Sequence, residues 1–84
     1  MPAEGDETQN PKGGEIEGRY ANYFQVGHNA FEFLLDFGQS YPEGGPERVH
    51  TRIIMSPAYA LELLRLLGES LERYEQEFGV IRER

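Results

Sequence analysis

The sequence predicts an α+β domain: a three-stranded antiparallel sheet followed by one long C-terminal helix (β-β-β-α), assembled as an oligomer. Three observations carry this expectation. Residues Ala30 to Phe37 and Val49 to Met55 alternate apolar and polar side chains, the period-two pattern of half-buried strands. Ser56-Pro57 then opens a stretch of helical period that closes at Gly79. The ordered part, roughly 60 residues without a cysteine, is marginal as a self-sufficient core, so oligomerisation is expected before any motif is considered.

Residues 1–18 are set apart by composition. Glu4, Asp6, Glu7, Glu15 and Glu17 face Lys12 alone, a net of −4 out of the chain's −7. Ile16 is the only large aliphatic residue after Met1. Such a segment buries too little apolar surface to offset its ordering entropy and reads as a disordered acidic tail, leaving 19–84 as the domain. Tyr20 to Val26 is rich in β-formers and has no helical apolar period, so it reads as the first strand. Gly27-His28-Asn29 follows as a hairpin turn. In the second strand, Phe31, Phe33, Leu35 and Phe37 share one face, with Glu32, Leu34 and Asp36 on the other. Gly38 to Glu47, carrying Pro42, Gly44, Gly45 and Pro46, is a connecting loop. The third strand sets Val49, Thr51, Ile53 and Met55 on one face and His50, Arg52 and Ile54 on the other.

Ser56 is a preferred N-cap, and Pro57 loses no hydrogen bond in the first helical turn. The helix is expected to run to about Phe78, with Gly79 as a left-handed C-cap. Ala60, Leu64, Leu67, Leu71, Tyr74 and Phe78 form one stripe, widened by Leu63, with Leu61 and Leu66 on its flanks. The helix is expected to lie on the phenylalanine face of the sheet. At about 33 Å it outruns strands of about 25 Å, so part of it is expected to pack against another subunit.

The same residues narrow the function. An acidic balance weighs against nucleic acid and anionic membrane, which reward clustered Lys and Arg. The absence of cysteine excludes disulfides and thiolate metal sites. No apolar run approaches a membrane span and the first twenty residues lack a signal peptide's pattern, so a cytoplasmic location is expected. His28 and His50 have no metal-ligand spacing, and Glu32 and Asp36 read as solvent-facing strand residues. No nucleophile elbow or phosphate loop is present, so neither a cofactor nor catalysis is expected. Arg19, Arg48 and Arg52 can make a small basic spot, and a strand leading into a capped helix suggests a ribbon-helix-helix DNA binder as the alternative. That fold needs basic or amide side chains along the strand and a second helix, whereas the face here offers His50, Arg52 and Ile54. Tyr23, Leu34 and Ile54, opposite the phenylalanine face, and Leu61 and Leu66 on the helix flanks are the candidate oligomer or partner-binding residues.

The run from Tyr20 to Gly79 resembles the bacterial and archaeal domain-of-unknown-function family 3467. The aromatic strand before the histidine turn, Phe33-Leu34-Leu35-Asp36-Phe37-Gly38, Met55-Ser56-Pro57 and the closing Tyr74-Glu75, Phe78-Gly79 carry the likeness. The resemblance implies no activity. A looser likeness is to the export chaperone SecB, in which antiparallel strands pass through a Ser-Pro step into a long helix. That likeness implies an acidic cytosolic oligomer holding unfolded chains, although SecB's extra strand and second helix are missing here. The combined expectation is a small protein-binding module, adaptor or holdase-like, whose first partner is itself.

Overall fold

The computed structural model describes residues 14–83. Three strands, β1 (Tyr23–His28), β2 (Phe33–Gln39) and β3 (Arg48–Met55), precede one helix, α1 (Pro57–Phe78). They form an antiparallel sheet in the order β1-β2-β3, so the β-β-β-α expectation holds. Most of the expected tail lies outside the described residues. Its last part, Gly14 to Gly18, is exposed turn and bend leading into the sheet.

The first hairpin turns later than the glycine suggests. Asn29 closes it: its Oδ1 accepts from the amides of Phe31 (2.8 Å) and Glu32 (3.0 Å), and its own amide donates to the Glu32 carbonyl. This side-chain-made turn keeps Gly27 and His28 in β1 and leaves Phe31 in the loop, 81% exposed. At the other end, Asn22 ends the pairing. Its side-chain amide donates to the Ser40 carbonyl (3.0 Å) and accepts from the Ser40 amide (2.8 Å), imitating a strand residue. The expected start at Tyr20 is thereby moved to Tyr23.

The β2–β3 pairing contains a bulge. Phe37 faces Thr51, but Gly38 faces Val49, so His50 is the extra residue on β3. Simple alternation put Val49 beside Thr51; the bulge instead turns it opposite Gly38. Here β3 crosses so near β2 that a Cβ on Gly38 would overlap the Arg48 carbonyl and come within 2.9 Å of the Val49 Cα.

The helix begins and ends where local chemistry places it. Ser56 is extended (φ −71°, ψ 159°), its Oγ accepts from the Tyr59 amide at 3.3 Å, and Pro57 follows at the first turn. Ser56→Ala is expected to cost about 1 kcal/mol or less, read as a shift of the urea midpoint with unchanged slope. Gly79 takes a positive φ of 99° but a ψ of 178°, an extended mirror-image conformation rather than the left-handed cap. Its amide still donates to Glu75 (2.9 Å), and Ile81 turns back to donate its own to the Glu75 Oε2 (3.0 Å).

One expectation fails. The helix does not lie on the phenylalanine face: packing runs from β1 to β2 and from β2 to β3, and no helical residue is buried. Among the described residues no hydrophobic side chain is buried at all. The reason is in the joint. β3 ends at Met55 and α1 starts at Pro57, so a single extended residue connects them. Strand-to-helix connections that fold back take about two to six residues.

Candidate interaction surface

The register sorts the sheet into two unlike faces. On the first, β2 contributes Phe33, Leu35 and Phe37, flanked by His28, Val26 and Phe24 from β1 and by Met55, Ile53 and Thr51 from β3. All but His28 and Thr51 of these side chains are apolar. Phe24 meets Phe37 edge-on at 5.9 Å, and His28 stacks on Phe33 at 5.3 Å, so each pair spans the β1–β2 ladder. Among the described residues no other element packs on this face: Phe33, Leu35 and Phe37 of the central strand are half-buried, and the β1 edge is open. Val26 is 67% exposed and Phe24 58%. At the bulged end, Glu17, Arg19 and Ala21 border a shallow groove with Phe37, His50 and Thr51. His50 fixes that strap: its Nε2 donates to the Tyr20 carbonyl (3.0 Å) and its Nδ1 accepts from the Thr51 hydroxyl (2.7 Å). Arg19 adds a long bond to the His50 carbonyl at 3.4 Å.

The second face is polar at its centre. Asp36 stands between Gln25 and Arg52, and Arg52 grips it with two bonds, Nε to Oδ1 at 2.7 Å and Nη2 to Oδ2 at 2.8 Å. The expected solvent-facing Asp36 is in fact the buried charge of the described chain, 7% exposed. Burial is tolerated because a bidentate guanidinium satisfies both carboxylate oxygens. The Arg52 hydrogen bonds and charge hold its pKa below the ordinary carboxylate range, against the upward push of desolvation.

A group with a depressed folded pKa contributes stability above its unfolded pKa, about 3.9, and loses it as pH falls through the lower folded value. The melting temperature is therefore expected to drop below about pH 4. Asp36→Asn should be less stable at neutral pH and show a flatter acid limb between about pH 2 and 5. An unchanged acid limb in that variant would remove Asp36 from the account.

The five sequence-predicted residues divide accordingly. Leu34 and Ile54 are direct cross-strand partners on the second face. Tyr23 shares that face but sits beyond the Gln25–Asp36–Arg52 row, opposite Gly38, and its hydroxyl accepts from Gln25 (2.7 Å). The three do not form one patch. Leu61 and Leu66 are exposed on the helix, 47% and 55%, as are Leu64, Leu67 and Leu71 of the main stripe. Sequence reasoning missed the first sheet face as a surface. Its alternation is legible in the sequence, but the expected cover, the chain's own helix, does not pack on it. Of the three arginines of the expected basic spot, Arg52 is engaged by Asp36, while Arg19 and Arg48 both lie at the bulged end. The strand face that a ribbon-helix-helix protein would offer to DNA therefore carries a paired charge.

Among the described residues no helix is long and apolar enough to cross a membrane. No curated protein and no solved structure matches the chain, so the looser likeness to SecB carries no structural argument. The family described as Protein of unknown function (DUF3467) matches residues 6–83, nearly the whole sequence, and the chain belongs to that family.

Proposed function

We propose that this chain is a protein-binding module, adaptor or holdase-like, that works as a homo-oligomer and not as a catalyst. The observation that carries the reading is the lack of any buried hydrophobic side chain among the described residues, beside an apolar sheet face and an apolar helix stripe. Ordering each backbone residue costs about 1–2 kcal/mol, and burial of a Val, Leu, Ile or Phe side chain returns about 1.5–3 kcal/mol. Phe33, Leu34, Leu35 and Phe37 are only half-buried, so the single chain recovers a small part of that ordering cost. The apolar surfaces must be covered, and the one partner present wherever the chain is made is another copy. Leu61 and Leu66 widen the helix surface that such an assembly covers. The second sheet face, with Leu34 and Ile54 beside the paired Asp36 and Arg52, is left for another protein.

Light scattering and sedimentation at micromolar concentration test the reading. The expected mass is at least twice the 9.6 kDa of one chain. A well-folded monomer with a cooperative melt overturns it.

A further inference from the structure

We infer that two copies exchange helices, α1 of each covering the apolar sheet face of the other. This rests on the homo-oligomer reading and specifies which surfaces meet. Three features point to exchange rather than to like surfaces pairing. The first is the joint: Ser56 alone separates β3 from α1, and Pro57 fixes the backbone where the helix starts. A short, stiff hinge prevents an element from closing on its own body while leaving it free to close on an identical one.

The second is the match of dimensions. Three strands spaced about 4.8 Å apart give a face about 14 Å wide and about 25 Å long. A helix is about 10 Å across, and 22 residues span about 33 Å. One helix therefore covers one sheet, with its last turns overhanging. The overhang carries Tyr74 and Phe78, which pack at 5.0 Å, and after it Val80 and Ile81 turn back along the helix. One sheet and one helix per chain close as a two-fold pair with neither surface left over.

The third is area. The sheet face is about 350 Å² in projection, and the helix stripe is of the same order, so each copy contributes about 700 Å². A stable interface of standard size takes roughly 800 Å² from each partner. Sheet-on-sheet pairing alone would bury half as much and leave Leu64, Leu67 and Leu71 in water.

The chain has no cysteine, so introduced thiols report contacts without background. Ile53→Cys, on the sheet face, is mixed after unfolding with Leu64→Cys, Leu67→Cys or Leu71→Cys, the two chains carrying different tags. The mixture is refolded and mildly oxidised. Exchange predicts a disulfide-linked species carrying both tags for at least one helix position, and little covalent dimer from any variant oxidised alone. A covalent dimer of Ile53→Cys with itself, with no mixed product, means sheets face sheets and overturns the exchange while keeping the homo-oligomer. Circular dichroism on each variant excludes those that fail to fold, and Val26→Cys serves as the second sheet position. Independently, a flexible Gly and Ser insertion of about six residues between Met55 and Ser56, which leaves the Ser56 cap on the helix, should free the hinge and halve the mass at unchanged helix content. An unlengthened chain that is monomeric overturns the homo-oligomer reading itself, and an inserted chain that keeps its full mass overturns the exchange.

Discussion

Leu35→Glu is expected to leave the chain largely unfolded at micromolar concentration, not as a folded monomer. Leu35 lies in the middle of the central strand, between Val26 and Ile53, at the centre of the apolar face. In an assembly that covers this face, the new carboxylate would be enclosed without a partner. An unpaired buried charge costs several kcal/mol, against a total of about 5–15 kcal/mol for a typical domain. Because a single chain fully buries no hydrophobic side chain among its described residues and only half-buries those of β2, the loss of association removes most of the stabilising apolar burial. Far-UV circular dichroism should show the loss of ordered structure together with the loss of mass. The unmodified protein should show a melting temperature that rises with its own concentration. Leu34→Glu tests the other face, already polar at Asp36 and Arg52, and is expected to cost far less. A Leu35→Glu variant that stays folded would mean that the apolar face is not part of the core.

Gly38→Ala is expected to be the most damaging one-carbon change in the sheet. The position does not need a left-handed backbone; it needs empty space. An added Cβ would meet the Arg48 carbonyl group and the Val49 Cα, all backbone atoms of the bulged strand. A flexible side chain could move aside, but a paired backbone cannot do so without giving up the bulge. The expected cost is about 3 kcal/mol or more, measured as the change in urea midpoint. Gly27→Ala is the matched control. It lies on the adjacent strand with nothing within 4 Å of an added Cβ, and should stay within about 0.5 kcal/mol of the parent. Equal tolerance at the two positions would refute the close crossing.

What the sequence disclosed was set by local chemistry, and what it concealed depended on distant neighbours. Ser56, Pro57 and Gly79 act on the backbone beside them, so the helix start at Ser56-Pro57 and its end near Phe78 were legible, though not the conformation of Gly79. Alternation fixed the faces of β2 and most of β3, because side-chain direction in a strand is a matter of counting. Asn22 and Asn29 were harder to read. Their amides replace backbone bonds, and composition does not tell which asparagine will do so. The bulge at His50 broke the count for Val49, since nothing local distinguishes it from a regular strand residue. The largest misreading was the cover of the phenylalanine face. Periodicity says that Leu64, Leu67 and Leu71 want an apolar surface, and it says the same of Leu35. It does not say that one residue of linker keeps the two apart within a chain.

The bulge also decides how the second hairpin finds its pairing. Sliding β3 along β2 by two residues would keep every side chain on its proper face, so hydrophobic pattern alone does not forbid it. The slip would bring the close-crossing backbone of Arg48 and Val49 against Asp36 or Ser40 in place of Gly38. Each carries the Cβ that this crossing excludes. The same movement would take Arg52 from its place directly opposite Asp36 and break the bidentate geometry of the pair. A mispaired hairpin is thus penalised at two separate places, once by shape and once by charge. Gly38 acts as a keyway: strands of nearly uniform apolar alternation, which would otherwise settle in several alignments, engage in one.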